Sequence, residues 1–525
     1  MALVGAAVAL VPFVFYVLTL APGVMYYDRP IFLDSVMLQV QATVLGMTGP
    51  TGEPSWVMLT HLFTYLPFGD EAYRVNLASA VYAAVAVFEV FVAGYLLTKR
   101  MVAAAAAALA FGVSTTFWSQ AVIAEIYTFN ALMIMLPIIA LLLWRERREL
   151  PGSDRYLLVA AFLMGFALTN HMTSGLVTPA GFLFVFLIDR RVLLRWKLVL
   201  AGVAMFFLGL TPYLFLPIRA AMDPAMNEAD PTTWARFWEF VSGSDLHGVL
   251  GRYGPSELLG RFELYGGHLL DNYHWGLLVV VGMGAMGLIL RDRPAAALLG
   301  FLYFGWLAHA LEFGIYDTEI YFITTYLALA LVIAAGFGFL QEALEDAIAS
   351  GSEDRRGLAS AGVVAVLLLL PLWGVWETYA ENDMSNDRTG QRINDIIAEK
   401  TARDSTVLHH RGSVWYLTLV EERREDLTLI DPWYPSWKRD RDIVWPDDID
   451  STTTHLRYGT NDYTGVSTAF EAAENGAVYI MDQESAGAQN FRDAGFEIVR
   501  VERGVLYELV PPNGKQYTSE LESRN

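Results

Sequence analysis

Cysteine is absent from the whole chain. That excludes disulfides and thiolate metal sites as the frame of any outer domain. Lysine is scarce, with five in 525 residues, and no basic patch is dense enough to invite nucleic acid. No Gly-x-Gly-x-x-Gly or P-loop follows a strand-like run, so nucleotide binding has no support. Internal repeats and paired broken helices at mid-membrane depth are also missing, which argues against a transporter.

What the chain has in abundance is apolar sequence. Hydrophobic residues make up 54% of it and the mean hydropathy is +0.36, too apolar for an ordinary soluble enzyme. Runs long enough for a bilayer core of about 30 Å lie at 2–21, 73–97, 102–116, 126–144, 155–170, 173–189, 197–217, 275–290, 294–313, 320–341 and 358–376. The first has no basic n-region and no small-residue cleavage site, and reads as a retained helix. Lys99-Arg100, Arg145–Arg148, Arg190–Lys197, Arg291–Arg293 and Arg355-Arg356 fall in alternate loops. The positive-inside bias then gives eleven helices, a cytoplasmic N-terminus and an extracellular C-terminus, in a multi-pass protein of the plasma membrane. Loops 22–72 and 218–274 share the outer face with everything beyond 380.

From about 380 the membrane pattern ends. Residues 386–402 have a helical period, while 405–410, 427–430, 478–481 and 496–501 are strand-like. That alternation predicts an extracytoplasmic α/β domain over 380–525, beside a transmembrane domain over 1–379. WYPSW at 433–437 is a candidate contact surface. Residues 381–525 hold 27 acids and 16 bases, a balance of −11 within the −20 of the chain. Such an acidic, lysine-poor surface keeps its hydration where salt screens repulsion, the pattern of a halophilic archaeal protein.

The most informative polar residues lie between the first two runs, in APGVMYYDRPIFLDSVMLQVQATVLGMTGPTGEPSW (21–56). An acid at the end of a membrane helix is costly to keep dry and easily justified at an active site, which singles out Asp28 and then Asp34. Asp28 can equally be an N-cap ahead of Pro30. Residues 30–45 repeat apolar positions with a helical period and predict a helix lying in the outer interface, followed by a loop at 46–54 and a short interfacial or re-entrant piece at 55–68. Further on, Glu125, His171, Arg219, Asp317 and Glu319 sit near outer helix ends, where polar residues mark a substrate path or satisfy interhelical hydrogen bonds. Asp230-Pro231 starts a helix whose Trp234, Phe237, Trp238 and Val241 share one face, suited to lie beside a lipid chain or to pack on the outer domain.

Read together, these segments resemble the protein O-mannosyltransferase-like GT-C membrane glycosyltransferases, a prokaryotic family related to an animal O-mannosyltransferase. APGVMYYD, a Gly/Pro loop and LFTYLPFGDEAYRVNLASAVYAAVAV look like its beginning. Asp28 and Phe32 fall on its Asp-Ser-Gly-Glu-Phe-like motif, with Ile31 in place of the Glu. Pro50, Gly52 and Pro54 match its second motif, with Gly49 in place of the His. FWSQAVIAEIYTFN supplies Glu125, Tyr127 and Asn130, FALTNHMT supplies Asn170 and His171, YLFLPIRAAMDPAMNEADPTTW supplies Arg219, Asn227, Asp230 and Pro231, and YDTEIYFITTY supplies Asp317 and Glu319.

The resemblance implies a GT-C fold and transfer of a sugar from a polyprenyl- or dolichyl-phosphate carrier to a hydroxyl of a protein or glycan at the outer membrane face. Asp28, or else Asp34, would take the proton of the acceptor hydroxyl. Arg219 would hold the leaving phosphate, unless it is a charged anchor at the interface. Glu125, Tyr127, Asn170, His171, Asn227, Asp230, Asp317 and Glu319 would line the substrate path. No cofactor is expected beyond the lipid-linked sugar, and no spacing demands a metal. A flippase of lipid-linked glycans or a catalytically silent assembly subunit are the alternatives.

Overall fold

The computed structural model describes residues 1–26, 33–227, 230–244, 251, 253–314, 317–349, 362–409, 412–431, 456–458, 465–481, 488–512, 514 and 516. Helix α1 (Ala2–Leu18) is followed by two short helices, α2 (Leu33–Val44) and α3 (Pro54–His61). Helix α4 (Glu71–Thr98) starts where the Asp70 carboxylate accepts the Tyr73 amide at 2.7 Å and stops at Lys99 in a left-handed conformation. At 1.5 Å per residue its 28 residues reach about 42 Å, more than a bilayer core. Helix α5 (Met101–Gly112) and α6 (Thr115–Ala121) meet at a 68° bend, and α7 (Tyr127–Arg147) and α8 (Asp154–Leu168) follow. Then come α9 (Val177–Asp189), α10 (Trp196–Gly209), α11 (Phe215–Ala220) and α12 (Trp234–Val241). Helices α13 (Pro255–Asn272) and α14 (Trp275–Arg291) meet at 106°, before α15 (Arg293–Glu312) and α16 (Ile323–Ala349).

Among the described residues seven helical stretches are long and apolar enough to cross a membrane, or nine if each bent pair is one span. The eleven runs expected from sequence are largely helical where their residues are described. Two of them are arms of the bent pairs, and two more are only 17 and 15 residues long, in α1 and α8. The interior is built on small side chains. Ala103–Ala108 of α5 are buried. A Cβ on Gly284 would stand 2.0 Å from the Val332 carbonyl, and one on Gly336 would stand 2.1 Å from that of Val280, so α14 and α16 touch backbone to backbone.

The first outer segment departs from expectation. Helix α2 does not lie in the membrane interface: Ser35 to Ala42 are all buried. Its polar side is covered because Gln39 and Gln41 face protein, and its apolar Met37 and Val40 pack against the C-terminal region. Periodicity reports that a face is covered, and here another part of the same chain covers it. Helix α3 is half sunk, with Trp56 and Val57 buried and Leu59 exposed.

The C-terminal region forms a six-stranded sheet ordered β3-β2-β1-β4-β6-β5. Strands β1 (Thr406–Leu408), β2 (Thr428–Asp431), β3 (Leu456–Tyr458) and β4 (Val478–Met481) run parallel, while β6 (Leu506–Val510) is antiparallel to both β4 and β5 (Glu497–Glu502). The four expected strands are present, and β3 and β6 are additional; WYPSW lies outside the described residues. One sheet face, with Val407, Leu429 and Tyr479, shares a core with Val24, Tyr26, Met37, Val40 and Met226 of the outer loops. The other packs Leu408, Ile430 and Ile480 on Ala469, Phe491 and Phe496. Strand alternation separates the two sets.

Candidate active site

Asp28, the first candidate base, lies outside the described residues. The chain that leads to it is held from two sides. Two buried amides read its backbone: Gln39 accepts the Met25 amide at 2.9 Å and donates to the Gly23 carbonyl at 3.2 Å and to Asn76 at 2.8 Å. Asn76 in turn donates to the Ala21 and Gly23 carbonyls at 3.0 and 3.3 Å. From the opposite side the helix Thr389–Lys400 presses Gly390 so close that a Cβ there would stand 2.3 Å from the Val24 carbonyl. The Met384 amide also bonds the Thr19 carbonyl at 3.0 Å.

Asp34 begins α2 and is exposed. Beside it the Ser35 hydroxyl donates to Glu125 Oε1 at 3.0 Å, which ties α2 to the turn between α6 and α7. The Ser79 hydroxyl fixes that turn by accepting the Glu125 amide at 3.1 Å. Glu125 is only 4% exposed. Burial first, then the neighbouring Asp34 and Asp317 carboxyls, push its own carboxyl well above the ordinary range.

Next to Glu125 three rings meet. Tyr127 lies 5.7 Å from both His171 and Tyr321, and His171 lies 5.8 Å from Tyr321. His309 approaches Tyr321 from α15 at 6.2 Å. Arg261 shapes the loop that carries Asp317. It donates to the carbonyls of Ala310, Leu311 and Phe313 at the end of α15 and to the Thr318 hydroxyl at 2.9 Å. The Asp317, Asp34 and Glu53 carboxyls all lie within electrostatic reach of Tyr321, and Glu53 lies within reach of Tyr213 as well. Glu53 is held by the Thr48 hydroxyl and accepts the Thr51 amide at 3.2 Å.

The expected residues therefore divide. Asp34, Glu125, Tyr127, His171 and Asp317 converge, and the fully buried Asn170 borders them with its amide 3.5 Å from the Ile126 carbonyl. Arg219 does not join them. Its guanidinium donates to the Leu45 and Val44 carbonyls at 2.8 and 3.0 Å and so closes the C-terminal end of α2. Asp34 is at the other end, about 15 Å away at 1.5 Å per residue. Asn227 accepts the Asp230 amide at 3.1 Å, and Asp230 pairs with Arg236, both on the Arg219 side. Glu319 acts on Tyr326 instead. Glu53, His309 and Tyr321 are residues that the sequence reading passed over. The signal for Glu53 was an acid enclosed by Gly52 and Pro54; for the other two there was none beyond polarity near a helix end. Among the described residues no group of three or more His, Asp or Glu is arranged to hold a metal.

On the Arg219 side, α12 turns Trp234 (73% exposed) and Trp238 (50%) outward and buries Phe240 against Met47, Leu216 and Ala220. Its aromatic face is thus split: Trp234 and Trp238 are exposed, while Phe237 and Val241 pack on the same cluster as Phe240.

Residues 34–193 match the family model described as the protein O-mannosyl-transferase TMEM260 N-terminal domain. The mouse protein O-mannosyl-transferase TMEM260 is 30% identical over 236 residues, 44% of this chain and 31% of the relative. The Dictyostelium discoideum protein O-mannosyl-transferase is 23% identical over 248 residues, 45% of this chain and 29% of the relative. The chain thus spans under a third of the length of these curated relatives. Among solved structures, ArnT from Cupriavidus metallidurans bound to undecaprenyl phosphate superimposes with a TM-score of 0.62 at 13% identity, over 96% of this chain and 97% of that one. AglB, the oligosaccharyltransferase of Archaeoglobus fulgidus, in complex with an inhibitory peptide and a dolichol-phosphate, gives 0.53 at 12% identity, over 97% and 76%. The chain therefore has the GT-C fold of ArnT and AglB, and its residues 34–193 are similar to the N-terminal domain of the TMEM260 protein O-mannosyl-transferases.

Proposed function

We propose that this protein is a glycosyltransferase that moves a sugar from a polyprenyl- or dolichyl-phosphate carrier to a hydroxyl of a protein or glycan at the outer face of the plasma membrane. The observation that carries the reading is the convergence of Asp34, Glu125 and Asp317 with Tyr127, His171 and Tyr321 at the end of the helix bundle that the α/β region covers. The lipid phosphates bound by ArnT and AglB, and the peptide bound by AglB, support a lipid-linked donor and a protein acceptor.

In this reaction a carboxylate accepts the acceptor's hydroxyl proton as its oxygen bonds to the anomeric carbon. The bond from that carbon to the phosphate oxygen breaks, and the phosphate leaves with the electron pair. A phosphate is a weak base, so it needs charge stabilisation and no general acid. We assign the proton to Asp28, with Asp34 second. Arg219, at the opposite end of α2 from Asp34, is our candidate for the carrier phosphate together with Asp28 as base; among the described residues two of its guanidinium's five donors serve the α2 carbonyls.

The test is transfer of labelled mannose from dolichyl phosphate mannose to endogenous acceptors in right-side-out membranes. Asp28→Asn should lose on the order of 100-fold in rate while the protein stays folded. Arg219→Lys should weaken donor use, since an ammonium loses the planar fork. An impermeant protease should reach residues beyond 380. Unchanged transfer by both Asp28→Asn and Asp34→Asn removes the first loop from the chemistry. Donor movement across the bilayer without transfer favours a flippase.

A further inference from the structure

His171 stands in the turn between α8 and the short helical turn Met172–Leu176, half-buried at the edge of the carboxyl cluster. The Thr173 amide lies 3.2 Å from its Nδ1 and can only donate, so Nδ1 carries no proton. The Thr173 hydroxyl, 2.8 Å from the same nitrogen, must donate as well. With its hydrogen used there, that hydroxyl accepts from Asn130 Nδ2 at 3.2 Å. A neutral imidazole with a bare Nδ1 keeps its proton on Nε2. Among the described residues no hydrogen bond uses that Nε2–H.

The surroundings define what it can hold. Tyr127 comes from α7, Tyr321 from the turn Thr318–Phe322, and His309 from α15. Glu125 and Asp317 stand next to Tyr127. Burial, with the second imidazole of His309, pushes the His171 pKa down to about 3, so the ring stays neutral through physiological pH. The Asp34 and Asp317 carboxylates close by disfavour a phosphate anion at this spot. They suit hydroxyls, which donate to them, and the tyrosine rings offer flat apolar faces to a pyranose.

Resting on the glycosyltransferase reading, we propose that His171 is the neutral N–H donor that holds a hydroxyl oxygen of the donor's sugar, with Tyr127 and Tyr321 as the ring faces beside it. Its role is specificity for the sugar, separate from the carrier phosphate.

The experiment measures binding on the purified full chain in lipid nanodiscs, with dolichyl phosphate mannose and dolichyl phosphate as the two probes. His171→Phe and His171→Asn should each weaken the mannosyl lipid by about five- to tenfold, the scale of one hydrogen bond, and leave the bare lipid phosphate unchanged. His171→Gln places an amide N–H near the position of Nε2 and should recover binding to within about threefold. The ratio of the two affinities should be flat from pH 5 to 8. Equal weakening of both probes would show a contact to phosphate or lipid and overturn the proposal. A Gln variant as weak as the Phe variant, with an unchanged thermal midpoint, would overturn the donor role. An affinity step near pH 6.5 would mean a charged imidazole. If the wild type binds both lipids and transfers nothing, the proposed function fails while this assignment still stands or falls on the affinity ratio.

Discussion

Glu125 shows what burial does to a single side chain at this site. Its carboxyl is raised, so the folded state holds the proton more tightly than the unfolded chain does. The sign follows: the folded state binds more protons above the ordinary Glu value, and stability falls as pH rises from about 4.5. Glu125→Gln keeps an oxygen for the Ser35 hydroxyl and removes the ionisation. The thermal midpoint of the variant should therefore fall less between pH 5 and 8 than that of the wild type. An identical pH slope would show that Glu125 does not titrate with folding. At this scale the sequence was partly legible. Glu125, His171 and Asp317 are recognisable because a polar residue near a helix end has few reasons to be there, and Tyr127 only through the family resemblance. Arg219 satisfies the same criterion yet meets the opposite end of α2 from Asp34, because only the fold tells which end it reaches. Glu53 was hidden inside a Gly/Pro segment whose composition reads as loop.

Among the elements, α2 depends on the Gln39–Asn76 amide pair. Together the two side chains bond one another and three backbone groups between Ala21 and Met25, so they act as a strand neighbour would. An apolar replacement leaves those buried backbone groups unpaired, at about 1–3 kcal/mol each. Gln39→Leu or Asn76→Leu should lower transfer by more than tenfold, through kcat and not through KM for the lipid-linked sugar. The exchange Gln39→Asn with Asn76→Gln preserves two amides and their combined length, and should recover most of the loss. Failure of the double variant to improve on either single exchange would show that the pair is ordinary packing. Sequence gave the period of α2 correctly and its environment wrongly. An amphipathic face looks the same under lipid headgroups and under a covering domain, and part of what covers α2, from Ile393 onward, is more than 350 positions away. Helix pairs bent at Val113–Ser114 and Tyr273–His274 were likewise invisible as pairs, since hydropathy counts apolar residues without regard to direction.

The molecule as a whole carries its negative charge outside the bundle's apolar interior, with −11 of its −20 in residues 381–525. Repulsion among those carboxylates is long-ranged at low salt and confined to about 3 Å at 1 M. The thermal midpoint of the purified full chain should rise when salt is taken from millimolar to molar. A midpoint that is flat or falls would remove the argument for a salt-adapted surface. The fold class was readable at this scale because spans, basic loops and the change of pattern near 380 are composition-level signals. That the α/β region shares a core with the first outer loop was not, because no local pattern encodes a contact between the two ends of the chain.

That contact also sets an order of events. Gly390 presses on Val24 and Met25, and the Met384 amide holds Thr19, so a segment synthesised more than 350 residues later completes the surroundings of the first loop. At about 5–20 residues per second, a ribosome that has finished Asn76 reaches Gly390 roughly 15–60 s later. Throughout that interval the nascent protein has its bundle under construction and its first loop braced on one side only. A chain stopped before 390 would lack the contacts that close the first loop from the side of Gly390.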